Sequence, residues 1–576
     1  MTPELDVERY LDGVGDGPVS VWSNWNVRET LPDVLGPFTW SIWRDVILPF
    51  VAQDVFGIPR SSPVFRHVVA IDLVEGRLYW NMNAMLAIPI FGPVLGRVLS
   101  VIDARAAEAT ERLIASGILV PRRLPGSRLA LALGVVGAGA RAGARMLGVL
   151  SPRRCMRLLD RCAVDVAARP AVSGLSDRDL LGTIRLFDSP EGKRVRRGIQ
   201  MMSVGMAVYF LAERAFRPHP EARELLAVGV ANNPTTAISI ALDELAEAGR
   251  PLAPVFSEER STGALFERLA GEPGGTEWLS HLDSFLARFG HRCPKEFDIA
   301  APRWSEDPTM ILDLVRARLS LPRSETTGER LARLRERRGR AIDAACKAER
   351  PWRRPVLRAL ARLVAEYMPL REAPKHAVMF LFARMRQAVA EIGRRLAARG
   401  ILREASDVFW LRWPEARLLL LGANPPADLE ARLARRREIH ERRLRARPTE
   451  FVRSDGVAVA FEDPASEEPE QPMLLRGTGI FAGTASGPAR ILHSPDPSAV
   501  SQGDVIVMEF ADPGWTPLFP RAAAVVMEVG GLMCHAAIVA RELGIPSVFG
   551  VRDATRRLSD GERVTVDGAK GTVTRG

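Results

Sequence analysis

The sequence predicts a multidomain chain: a large, mainly α-helical domain over residues 1–460, then a small α/β domain over residues 474–576. Three observations carry this reading. Apolar residues recur at three- and four-residue steps through long stretches of the first part. Residues 461–473, FEDPASEEPEQPM, are acidic and proline-rich with nothing to bury, and read as a linker. Beyond them come short β-type runs broken by glycine: LLRGTGIFAGTASGPARIL, DVIVMEF, AAAVVMEVGG, IPSVFGV and RVTVDGAKGTVTR.

In the helical part, HAVMFLFARMRQAVAEIGRRLAARG is the clearest element. Ala377, Leu381, Met385, Val389, Ile392 and Leu396 line one helix face, and Gly400 closes it. FRHVVAIDLVEGRLYWNMNAM is the exception; it reads as a hairpin turning at Glu75-Gly76. In the α/β part a single helix, about Ala536 to Leu543, interrupts the strands. No internal repeat is visible.

Composition excludes several classes. The 576 residues are 47% hydrophobic and 26% charged, the balance of a soluble globular chain. The five cysteines, Cys155, Cys162, Cys293, Cys346 and Cys534, form no CxxC pair, so neither a disulfide framework nor a zinc site is expected. The N-terminus lacks the apolar core of a signal peptide, and a reducing cytoplasm is the expected compartment. Ala84 to Ile102 and Leu129 to Leu150 are the most apolar stretches. Prolines and arginines interrupt both, so no membrane span is expected. The net charge of +10 raises the question of nucleic acid. The excess is almost wholly arginine, set beside glutamate at helical spacing, and no nucleic-acid motif accompanies it. No nucleic-acid partner is expected.

The chemistry concentrates in GGLMCHAAIVARELGIPSVFG, residues 530–550. Gly530 and Gly531 permit close backbone approach. His535 stands at the mouth of the helix, where unpaired N–H groups and the macrodipole favour an anion. Gly544 and Pro546 end that helix. A neutral imidazole there suits a phosphoryl acceptor. From spacing alone a buried histidine bonded to a carbonyl explains the pattern equally well. A metal site is disfavoured, because no second ligand stands at suitable spacing.

This segment, with GDVIVMEFADPGWTPLF upstream, resembles the phosphohistidine motif of the phosphoenolpyruvate-utilising enzymes across residues 474–576. The resemblance implies a swivelling domain. His535 would carry a phosphoryl group from an ATP-grasp domain to an acceptor, with the acidic linker as the swivel. Met533 stands where synthases and dikinases usually have threonine, and the GGLM form is more similar to rifampin phosphotransferases. Cys534 is a small neighbour in that family too, and by itself reads as a buried small residue.

Four earlier stretches are similar, in order, to the substrate domain of rifampin phosphotransferase. They are WSNWNVRETLPDVLGPFTWS, EGRLYWNMN, FGHRCPKEFDIAAPRWSEDP and PLREAPKHAVMFLFARMRQ. In REAPK, Pro374 suits the first turn of the long helix, which puts Arg371 and Lys375 at its N-terminus. Two cations there oppose the dipole unless an anion lies between them. The resemblance gives them the transferred phosphoryl group to stabilise. Arg371 and Lys375 are also explained as solvent-exposed cations. His291, Arg292 and Glu296 are candidates to line the same cleft, with His291 or Glu296 taking the acceptor's proton. Trp22, Trp25, Trp40, Trp43 and Trp80 suggest an apolar pocket or a core.

Nothing before Trp22 resembles an ATP-grasp region, and no Walker-type loop occurs. The resemblance then implies a carrier and an acceptor site here. A separate ATP-grasp protein is expected to bring ATP and Mg²⁺, and no cofactor or metal to be held by this chain alone. The acceptor is expected to be a hydroxyl of a small apolar molecule. Two alternatives stand beside this. One is an enzyme that activates a hydroxyl for dehydration or cyclisation in secondary metabolism. The other is a non-catalytic, phosphorylatable binding protein.

Overall fold

The computed structural model describes residues 20–24, 31, 33–50, 71–87, 104–121, 136, 151–230, 233–259, 261–320, 325–446, 450–454, 474–511, 513–531 and 534–576. The 461–473 linker, Trp25, Met533 and most of the two apolar stretches lie outside the described residues. Among the described residues, no helix is long and apolar enough to cross a membrane.

A four-stranded antiparallel sheet joins the two ends of the first part, in the order β2-β3-β1-β4. Its strands are β1 (Val21–Ser23), β2 (Ile71–Val74), β3 (Arg77–Asn81) and β4 (Phe451–Arg453). The expected hairpin is β2-β3. Glu75 and Gly76 turn it with φ of 48° and 74°, the left-handed pair that a tight two-residue turn requires. β4 then pairs with β1, Val21 opposite Arg453.

The rest of this part is helical. Helices α1 (Pro152–Ala167) and α2 (Pro190–Ala215) each begin with proline behind a serine. Ser151 and Ser189 accept from the Arg154 and Gly192 N–H groups, satisfying donors that the helix leaves open. Further along lie α3 (Pro234–Ala248), α4 (Thr309–Leu319), α5 (Thr327–Ala348), α6 (Arg354–Tyr367) and α7 (Ala373–Ala398). Thr326 and Glu329 form a reciprocal cap at the start of α5. Helix α7 runs through the middle of one of the two large apolar cores. All six residues of its predicted face are buried, packed with Phe38, Leu159, Leu180 and Phe187. Gly400, at φ 70°, turns the chain out of it.

The α/β unit is built on β5 (Leu474–Arg476), β6 (Thr478–Phe481), β7 (Thr484–Leu492), β8 (Asp504–Met508), β9 (Ala522–Met527), β10 (Ser547–Phe549), β11 (Arg563–Asp567) and β12 (Thr572–Arg575). Their order is β5-β12-β11-β7-β8-β9-β10-β6. Strands β7 to β10 are parallel neighbours, and antiparallel strands flank them. The parallel strand β8 is buried along its length, as expected where both faces are covered.

The expectation of a single helix here needs correction. Besides α8 (His535–Leu543) there is a one-turn helix, Ala554–Arg557, and a 3₁₀ run, Pro513–Arg521. Pro517 and Pro520 inside that run remove N–H donors, so no α-helical period marks it in the sequence.

The 3₁₀ run seats the α/β unit on the helices. Trp515, Leu518 and Phe519 share one apolar core with Ile238 and Leu242 of α3 and Ile311 and Leu314 of α4. Phe481 at the end of β6 enters a second core with Leu225, Leu334 and Leu357.

Candidate functional site

Strand β9 leads through Gly530 and Gly531 to α8. Gly530 has φ 132°, and a Cβ there would lie 2.5 Å from Met527 Cε and 3.1 Å from Cys534 Sγ. Glycine is required on both counts. Cys534 is the N-cap of α8, and its Sγ accepts from the Ala537 N–H at 3.3 Å. The thiol therefore does the work of a capping serine. Helix α8 ends at Gly544, φ 64°, with the Ile545 N–H bonded back to the Ala540 carbonyl at 2.8 Å.

His535 is the first residue of α8 and is 4% exposed. Its Nδ1 lies 2.9 Å from Oε2 of Glu372, which is also buried. Glu372 stands at the N-cap of α7, between the turn Met368–Arg371 and Pro374. Its side chain caps nothing on its own helix and reaches across to α8 instead. Burial alone would raise this carboxyl. The His535 ring, Arg371 and Lys375 outweigh burial and hold it down at about 2. Glu372 is therefore ionised near neutrality and can only accept. The Nδ1 contact then requires the proton on Nδ1, which leaves the lone pair of the neutral ring on Nε2. This is the tautomer an imidazole needs to attack phosphorus.

Of the two cations of REAPK, Arg371 stands beside the same carboxylate and Lys375 acts on it electrostatically. Arg371 Nε is 3.8 Å from Glu372 Oε1. Lys375, in the first turn of α7, places Nζ 5.4 Å over the Phe297 ring. Both lower the Glu372 carboxyl, Arg371 more than Lys375. Sequence reasoning passed over Glu372. An acidic residue at a helix N-terminus already has an ordinary explanation in the dipole, and its partner lies 163 positions away. Its place between Arg371 and Lys375 was the available signal.

The structure groups His291, Arg292 and Glu296 around His376, one turn along α7 from Glu372. Arg292 is ion-paired with Glu296 through Nε and meets His376 Nδ1 at 3.1 Å through Nη1. His291 stacks on Phe380 at 3.6 Å between ring centroids and lies 4.7 Å from the His376 ring. Neither nitrogen of the buried His291 ring has a hydrogen-bond partner among the described residues. Burial first, then His376, Arg292 and Arg303, push its pKa well below the ordinary value. Burial, Arg292 and Arg288 push His376 down to about 3. These rings stay neutral and are poor bases.

The N-terminal tryptophans divide. Trp43 donates to the Phe297 carbonyl at 3.1 Å and, with Trp40, packs on Leu31, Leu35, Leu73 and Leu78. Trp22 packs with Val74, Tyr79 and Val452 in a small separate core. Among the described residues, no cluster of histidine, cysteine and carboxylates has the makings of a metal site.

Residues 500–571 match the family model of the PEP-utilising enzyme mobile domain, and residues 197–372 match that of the rifampicin phosphotransferase fourth domain. Residues 500–571 are thus similar to the mobile domain of the phosphoenolpyruvate-utilising enzymes. A rifampicin phosphotransferase of Streptomyces sviceus is 33% identical over 61% of this chain and 41% of its own length. One of Streptomyces sp is 29% identical over 95% of this chain and 61% of its own length. A prodigiosin synthesizing transferase of Serratia marcescens is 27% identical over 56% of this chain and 36% of its own length. The chain thus spans less than two thirds of these relatives.

Polar contacts complement the apolar seat of the mobile domain. The Ala482 N–H donates to Glu224 Oε1 at 3.0 Å. Glu542, in the last turn of α8, accepts from Asn233 Nδ2 and, at 2.6 Å, from Thr236 Oγ1. Gly544 lies so close to Leu334 of α5 that a Cβ there would approach it to 3.1 Å. In this arrangement His535 faces the helical body rather than solvent.

Proposed function

We propose that this chain transfers a phosphoryl group through His535 to a hydroxyl of a small apolar molecule. The observation that carries the reading is the buried contact between His535 Nδ1 and Glu372, with Arg371 beside the same carboxylate and Lys375 acting on it electrostatically. In the loading step Nε2 attacks a phosphorus of the donor. The N–P bond forms, the donor P–O bond breaks, and Glu372 balances the positive charge left on the ring. In the delivery step the acceptor oxygen attacks the same phosphorus. The N–P electrons return to Nε2 and the hydroxyl proton leaves to solvent. Arg371 and Lys375 stabilise the charge on the phosphoryl oxygens as it passes.

The donor in this reading is ATP with Mg²⁺, held by a separate ATP-grasp protein. Support for an apolar acceptor comes from the wall that begins beneath Lys375, formed by Phe297, Trp43 and Trp40. The names of the rifampicin phosphotransferase relatives point the same way. Likeness to a prodigiosin synthesizing transferase favours a second reading, in which phosphorylation activates a hydroxyl within a biosynthetic step.

The test is intact mass at neutral to basic pH, where phosphohistidine survives. Wild type and His535→Ala are incubated with ATP, Mg²⁺ and host extract. One added phosphoryl group in wild type only is the expected result. No addition with a candidate ATP-grasp partner supplied overturns the carrier role and turns attention to ligand binding by the helical body.

A further inference from the structure

Helix α8 touches the helical body at both of its ends. His535 opens it and Glu542 lies seven residues on. Residues at that spacing share one helix face, about 10 Å apart along the axis. Glu542 and its partners Asn233 and Thr236 are all buried. Both Glu542 oxygens are engaged, by neutral donors from Asn233, just ahead of α3, and Thr236, in its first turn. Burial raises the Glu542 carboxyl to about 7, against the pull of Thr236 and Asn233. Glu372 adds to the rise and Arg371 opposes it.

A buried carboxylate met by neutral donors is costly to seat and adds little net stability, yet its directional bonds define one geometry. An apolar side chain at this position would leave the buried donors of Asn233 and Thr236 without their acceptor and would not fix the rotation. A domain that must seat, deliver and leave needs a defined geometry more than added net stability.

We propose that Glu542 is a positioning residue: through Asn233 and Thr236 it sets the rotation of α8 on the helical body, so that His535 meets Glu372 only when the mobile domain is fully seated. The consequence for transfer rests on the phosphoryl-carrier reading. The seating itself is a property of this chain alone and can be measured without donor or acceptor.

The probe is diethyl pyrocarbonate, which acylates accessible neutral imidazole. The full chain is treated near neutral pH, and acylation of His535 is read by peptide mass spectrometry against exposed His493 in the same digest. Glu542→Leu is expected to raise His535 acylation at least about fivefold, the effect of losing roughly 1 kcal/mol of seating. Asn233→Ala with Thr236→Val, on the other side of the contact, is expected to do the same. Combining all three changes should add little more, because they remove one interaction. Glu542→Gln, which keeps an acceptor oxygen, should stay within about twofold of wild type.

Unchanged acylation in Glu542→Leu overturns the proposal. So does a rise in Glu542→Leu that the Asn233/Thr236 variant fails to reproduce, since that is fraying of α8. A wild type whose His535 is protected and released as described, but never takes a phosphoryl group, keeps the seating role and sinks the carrier function instead.

Discussion

Two sets of histidines lie against the first turns of α7, and their neighbours differ in sign. His535 approaches from the mobile domain and meets a carboxylate. His376 grows from α7 itself and meets the guanidinium of Arg292, with His291 packed beside it. Glu372 orders the Nδ1 proton of His535 and can balance a positive ring. Arg292 forbids a positive ring at His376. Burial is common to the buried His535 and His291 and predicts neither role. In the proposed reading, the charge of the nearest partner separates the ring that carries the phosphoryl group from rings that stay neutral.

The comparison breaks most sharply on loading. His535→Ala should abolish phosphoryl addition in intact mass spectra, and His376→Ala should retain it. Addition surviving in the first variant would place the carrier elsewhere. Glu372→Gln comes next. The amide can donate to Nδ1 and shift the ring proton to Nε2, so loading should slow by on the order of 10²–10⁴-fold with the fold retained. Undiminished loading in this variant would falsify the tautomer argument.

Arg371→Ala or Lys375→Ala should slow delivery by about 10²–10³-fold while loading stays within about threefold. Single-turnover delivery from preloaded protein measures this, and equal loss in both steps would remove their assigned role.

Acid stability sharpens the contrast further. His376 has a folded pKa of about 3 against an ordinary 6.5, so the unfolded chain binds its proton first as pH falls. The stability from its neutral form is full above about 6.5 and is lost as pH falls toward 3. His376→Gln should flatten the fall of Tm across that window. Smallest of all, His291→Phe should change unfolding free energy by no more than about 1 kcal/mol, because it removes two nitrogens that have no partner among the described residues. A large loss in denaturant unfolding would show that His291 is bonded in solution.

Local chemistry made much of the site legible. The buried face of α7, the hairpin turn at Glu75-Gly76, the helix at His535 and its glycine end follow from spacing and backbone preference within a few residues. Position in REAPK was enough to put Lys375 in the first turn of α7, with Arg371 just ahead of it. The 3₁₀ run at Pro513–Arg521 escaped, because its prolines erase the period that marks a helix. Glu372 and Glu542 escaped for another reason. Each is ordinary on its own helix, and each acquires a role from a distant partner, 163 positions away for Glu372 and 309 for Glu542.

The sequence alone determined which residue types stand where: an imidazole at a helix mouth, two cations and a carboxylate at the start of a long helix, and a body of helices before a glycine-broken sheet. Those are consequences of local sterics, hydrogen bonding and apolar period, which act over a few residues. Only the tertiary structure decided that the carboxylate of Glu372 belongs to His535, that Arg292 belongs to His376, and that Glu542 belongs to Asn233 and Thr236. Such pairings depend on how separate apolar faces pack, and electrostatic influence depends on distance and burial rather than on order along the chain.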